Sequence, residues 1–183
     1  MMRRLFLLAL SAAAFALPAH ASTFIFAPQR DLVRDAAAIV QGKVISTSSF
    51  WNETGQVIVT EALVQVEETI LGKAPSVVIV RTFGGQVGNF VVEAHGFPTF
   101  RAGENQLLFL EAEKDGHSRV LGYQQGQFRI QSDAAGRQIA VPAVDSGATF
   151  VGASGAPAGA KALAALKASI LRDARAVGRE IDN

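Results

Sequence analysis

The chain of 183 residues has no cysteine, one tryptophan, one tyrosine and three histidines. Without cysteine there are no disulfides, thiol nucleophiles, cysteine zinc sites, iron–sulfur ligands or acylated lipoprotein cysteine. Charge is also scarce, at 18% of residues against the usual quarter. The hydrophobic share of 49% is ordinary, so a packed core is expected rather than disorder. One histidine, His20, falls in the N-terminal segment, leaving only His95 and His117. That is too few for a three-histidine zinc site, and no HExxH occurs. Neither a P-loop nor GxGxxG is present, and Gly84-Gly85-Gln86-Val87-Gly88 has the wrong spacing for either. No metal and no cofactor is expected.

What is present begins with residues 1–21, which read as a signal peptide. Arg3 and Arg4 precede an apolar run from Leu5 to Leu17, Pro18 ends it, and Ala19-His20-Ala21 offers a small-x-small cleavage site before Ser22. A bilayer-spanning helix needs about 20 apolar residues, so this run is short for an anchor, and no other stretch is long enough. Cleavage between Ala21 and Ser22 removes two of 17 basic residues, leaving 15 against 16 acidic ones, net −1. Such a balance gives no broad attraction to nucleic acid or anionic lipid. Neither nucleic-acid binding nor stable membrane insertion after leader removal is expected. A periplasmic or secreted location is.

Three further zones follow: a β-rich domain over 22–144, a Gly/Ala-rich linker over 145–160, and a C-terminal helix over 161–183. Pro28 to Ala36 suits a short helix. Strands are expected over Ala38–Phe50, Gln56–Glu68, Val77–Phe83, Leu107–Ala112, Arg119–Tyr123, Gln127–Gln131 and Arg137–Val141, with Phe90–Val92 as a short edge strand. Leu107 to Ala112 is apolar on both faces, as a strand buried on both sides would be. Gly42 inside its strand marks a bulge or bend, which suits strands that coil to close a small barrel. No helix long enough to connect parallel strands appears before residue 158. The expected fold is all-β: a small OB-like antiparallel barrel with a short N-terminal helix and a C-terminal amphipathic helix, whose stripe is Leu163, Leu166, Ile170, Leu171, Ala174 and Val177.

Side chains patterned for catalysis are few. His117 sits in an Asp-Gly turn and reads as solvated. Glu67 and Glu68 point to opposite faces of a strand, and Glu111 and Glu113 share one face at a strand end, as solvated edges do. Gly152-Ala153-Ser154-Gly155 lacks the last glycine of a nucleophile elbow and reads as linker. The long loop from Gly84 to Gly103 carries Phe90, Phe97 and Phe100, which pin it over a barrel end. OB barrels bind on one face and its adjoining loops, so the candidate binding surface is Trp51, Phe97, Phe100 and Arg101.

Several segments resemble the netrin-like OB-fold group that includes the tissue inhibitors of metalloproteinases. Asp35 to Val44 resembles the group's first strand, A-x-x-I/V-V-x-G-x-V. Val64 to Gly72 is similar to a second strand ending V-L-K-G, and Gly103 to Leu110 to G-x-x-Y/L-L-x-F. The run as far as Ile130, with Gly122-Tyr123-Gln124-Gln125-Gly126-Gln127, is similar to exported bacterial proteins of unassigned function. The resemblance implies the barrel and, as its narrower consequence, an inhibitor or accessory factor of an exported protease. The inhibitors grip zinc through an N-terminal cysteine; this chain has none, so that chemistry is not carried over. The reading that follows is an exported, non-enzymatic binding module whose partner is another exported protein. The competing enzyme reading would place an Asp or Glu beside His95.

Overall fold

The computed structural model describes residues 22–113, 115–144, 148–152 and 159–181. The expected signal peptide with Ala21, much of the expected 145–160 linker including Ser154, and Lys114 of the Asp-Gly turn lie outside the described residues. In chain order the elements are β1 (Ser22–Ile25), α1 (Gln29–Asp35), β2 (Ala38–Trp51), β3 (Ile58–Gly72), β4 (Val77–Phe83), β5 (Gly85–Val87), β6 (Phe90–Val92), β7 (Asn105–Ala112), β8 (Ser118–Val120), a 3₁₀ turn (Tyr123–Gly126), β9 (Gln127–Ser132), β10 (Gln138–Pro142), β11 (Ala148–Val151), β12 (Lys161–Ala162) and α2 (Leu163–Ala176).

Five strands close into a barrel in the order β2-β3-β4-β8-β7 and back to β2. Every seam is antiparallel except β4–β8, where Val80 pairs with Ser118 in parallel. A three-strand meander whose last strand meets the fifth in parallel is the five-stranded Greek-key barrel of OB type. Its closure depends on β2, which pairs with β3 along its length and with β7 over Ala38–Lys43. Register shifts at Gln41/Gly42 and Val44/Ser46 bend β2 between these partners. At Gly42 a Cβ would run into the carbonyl oxygen of Gln65, so only glycine allows the two strands to approach so closely.

Two apolar cores lie on either side of the β2–β7 sheet. Val40, Val44, Ala62, Val64, Val80, Leu108 and Leu110 fill the barrel. Ile39, Leu107 and Phe109, the alternate residues of the same strands, face outward and are covered by Leu32 and Val33 of α1 and Leu166, Ile170 and Ala174 of α2. The period of two in β7 therefore feeds both cores, which is why its sequence is apolar throughout. β9 and β10 continue this sheet beyond β7: the first half of the outer edge of β7 pairs with β9, the second half with β8.

Pro28 precedes α1, and the chain turns extended at Ala36. α2 ends where Gly178 takes φ 73°. There the Arg179 amide donates to Ala174, and the Arg179 guanidinium donates to the carbonyls of Val33 and Ala36, locking the two helix ends together. Lys167 reaches Glu68 of β3 at 2.6 Å.

Two expectations change. The fifth strand does not reach Tyr123: it ends at Val120, and Tyr123 opens a 3₁₀ turn at φ 59°, preceded by Gly122 at φ 70°. Two successive left-handed residues cannot continue a ladder. The described part of the expected linker is not free chain, because Ala148–Val151 pairs in parallel with Ser22–Ile25.

Candidate functional site

The 84–103 segment is fixed from below by side chains. Phe100, 9% exposed, enters the barrel core. Three glutamines of the 122–127 run do the rest. Gln127 donates to the Thr99 carbonyl at 2.7 Å and to Gln106 Oε1 at 2.9 Å, while Gln124 donates to the Phe97 carbonyl at 3.0 Å. Gln125 accepts from the Ala27 amide at 2.8 Å and donates to the Ile25 carbonyl at 3.1 Å, which fixes the N-terminal strand as well. All three are buried, where an amide is tolerated only when hydrogen-bonded. Phe24, delivered by that strand, lies directly over Gly96, whose φ of 85° and missing side chain make the contact possible.

On this frame two hollows flank the end of β4, sharing Thr82, Phe83 and Pro98 as their common wall. The first is a groove of about 630 Å³ between the long β2–β3 arm and the 84–101 loop. Its floor is hydroxylic: Ser49 and Thr60 bond each other at 2.8 Å, and Thr60 donates to Gly84 at 2.7 Å. Glu93, His95 and Arg101 line its opposite side. Beside it lies an apolar rim. Trp51 at the tip of β2 meets Phe90 edge to face at 5.6 Å, and Phe90, Val91 and Val92 are all exposed, Phe90 by 64%.

The second hollow, about 520 Å³, opens between β4 and β8. Val59 and Val120 form its buried floor; Phe83, Phe97 and Tyr123 form an aromatic wall with edge-to-face contacts at 5.1 Å. Its other side is charged. Arg119 bonds Glu111 at 3.2 Å and Glu113 at 2.8 Å. Arg81 holds Glu61 and Asp115 at 2.8 Å each, and His117 lies 3.0 Å from both carboxylates. The hydrogen bond it donates to Glu61 raises the Arg81 guanidinium above its ordinary pKa, and the His117 backbone amide holds the Asp115 carboxyl below its own.

The four expected surface residues thus separate. Arg101 lines the groove, Trp51 sits against Phe90 on the apolar rim, Phe97 belongs to the aromatic wall of the second hollow, and Phe100 is inside the barrel and unavailable to a partner: the loop needs an apolar plug. Ser22, beyond the expected cleavage site, is the first residue of β1. His117 is not solvated; its ring is mostly covered within the Arg81 network. Sequence reasoning missed Phe83, Tyr123 and the Arg81 cluster, whose members come from β3, β4 and the turn before β8. The buried glutamines did leave a signal, three amides within four residues beside an aromatic. Among the described residues no group of three or more His, Cys, Asp or Glu is placed to hold a metal ion, and no helix is long and apolar enough to cross a membrane.

The class these features define is a five-stranded OB-type barrel with a helix-covered outer sheet. Searches of family models, curated proteins and solved structures find no match to the chain.

Proposed function

We propose that the protein is an exported binding module without a catalytic role, and that it meets another exported protein through the groove beside the β2–β3 arm. The observation that carries this reading is the apolar rim of Trp51, Phe90, Val91 and Val92. Large apolar side chains exposed so close together, Phe90, Val91 and Val92 in succession with Trp51 against Phe90, mark a contact surface. The groove beside the rim supplies hydroxyls, Glu93 and Arg101 for polar recognition, matching the usual composition of an apolar centre with a polar margin. Export rests on the N-terminal leader sequence.

A Trp51→Ala/Phe90→Ser double variant tests the surface. Both side chains are exposed, so stability should change within about 0.5 kcal/mol. Mature wild type immobilised in periplasmic extract should retain a partner that the variant loses; the same retained set on both would overturn the surface. The narrower reading, an inhibitor or accessory factor of an exported protease, is supported by the netrin-like strand sequences. It predicts a change in the rate of a host exported protease on adding the mature protein, and no change in any of them removes it.

A further inference from the structure

We infer that the second hollow, between β4 and β8, is a separate peptide site that takes an extended segment carrying a hydrophobic side chain flanked by basic ones. Three independent features of the hollow lead there. The seam between β4 and β8 is joined at one residue pair only, Val80 with Ser118. Beyond it the strands diverge, so Arg81, Thr82 and Phe83 have no strand neighbour on that side while Arg119 and Val120 stay with β7. A strand edge of this kind offers main-chain groups to an added strand, the mode in which backbone bonds give affinity and pockets give selectivity. The volume of about 520 Å³, floored by Val59 and Val120 and walled by Phe83, Phe97 and Tyr123, is of ligand size and apolar at the bottom. Tyr123 keeps its place at φ 59°, a conformation costly for a non-glycine residue and sustained here by rings on two sides, Phe24 at 4.8 Å and Phe97 at 5.1 Å.

Charge selects the flanking residues. Among the described residues around the hollow, Glu61, Glu111, Glu113 and Asp115 face two guanidiniums, Arg81 and Arg119, each already shared between two carboxylates. These six side chains set four carboxylates against two guanidiniums, a local acidic excess on a chain that is close to neutral as a whole. An incoming ammonium or guanidinium is attracted without displacing either arginine, while a carboxylate is repelled. In an extended segment every second side chain faces the same way, so the fitting pattern is basic-x-hydrophobic-x-basic.

The probe is the capped peptide acetyl-Ser-Lys-Ser-Phe-Ser-Lys-Ser-amide, titrated into isotopically labelled full-length mature protein to about 1 mM, the weak end of specific binding. The expected result is saturable shifts of the Val120 and Tyr123 amides. Glu111→Gln/Glu113→Gln, a partly exposed pair outside both cores, should weaken binding about three- to tenfold, as loss of two screened ion pairs implies. The same peptide with Glu for Lys should not bind. Equal binding of the two peptides, no binding at that concentration, or shifts confined to Trp51 and Phe90 would each overturn the site. The Trp51→Ala/Phe90→Ser variant should bind the peptide as wild type does, so loss of the partner at the groove and loss of the peptide at this hollow read out separately.

Discussion

The β2–β7–β9 side of the sheet and its β3–β4 side are built from the same kind of strand, yet one is covered and the other bare. On β7, Gln106 to Leu110 are all buried, the inward residues by the barrel and the outward ones by α1 and α2. On β3, Ala62 and Val64 are buried while the alternate residues Leu63, Gln65 and Glu67 face solvent. Among the described residues the helices reach β3 only at its end, where Ile70 and Leu71 join the outer core and Lys167 meets Glu68, and both hollows border the end of β4. The cover thus commits one half to stability and leaves the other free for contact. OB barrels can do this because a closed ring has its own interior and does not need both faces of every strand protected.

The comparison breaks first, if it is wrong, at Phe109. This side chain is fully buried in the outer core against Phe128, 6.2 Å between ring centres. Phe109→Ala should cost about 3–5 kcal/mol, close to the whole stability of a small domain. Leu63→Ala on the bare half should cost no more than about 0.5 kcal/mol. Urea unfolding followed by both far-ultraviolet dichroism and Trp51 fluorescence checks this. Equal costs would mean that the helix cover contributes little. Noncoincident transitions for Phe109→Ala would mean that cover and barrel unfold separately.

A smaller effect is expected at Gln127, which joins the covered sheet to the loop over the bare one. Gln127→Ala leaves the Thr99 carbonyl and Gln106 Oε1 without this donor in a buried place, at about 1–3 kcal/mol. Hydrogen exchange should rise across 97–101 before it rises in β7. Uniform acceleration throughout would show that the amide holds the barrel rather than the loop.

Much of this contrast was legible in the sequence, for a physical reason. Alternation in β3 and its absence in β7 report the number of buried faces directly, and the stripe Leu163, Leu166, Ile170, Ala174 names the covering helix. Val77–Phe83 and Phe90–Val92 fall where β-branched and aromatic runs place them. The hollows were not legible, because each is made where separate strands meet. Arg81 reads as one cation in a strand, and only the β3–β4 register, with Glu61 opposite it, reveals a partner. Phe100 and Phe97 look alike in sequence; one plugs a barrel and the other walls a cleft because the chain turns between them. The parallel pairing of β1 with β11 joins segments more than 120 positions apart, beyond any local signal.

The smallest predicted effect concerns two turns, one on each half. Asp133, before the β9–β10 turn, accepts the backbone amides of Ala135 and Arg137 at 2.9 Å each. Asp115, beside the bare half, accepts that of His117 at 3.2 Å. In both the largest cause is a backbone N–H, from Arg137 and His117 respectively, and it holds the carboxyl below the ordinary aspartate pKa. A depressed native pKa stabilises the fold above the unfolded value and loses that contribution as pH falls through the native one. Stability should therefore decline on acidification below the ordinary aspartate range. Asp133→Asn should flatten the part of that decline owed to its turn, since the amide oxygen still accepts but no longer titrates. Because backbone donors rather than distant charges dominate, added salt should leave both carboxyl midpoints nearly in place. Carboxyl carbon NMR across an acid titration measures this, and a salt-driven rise at Asp115 alone would show that Arg81, rather than the turn, sets its charge.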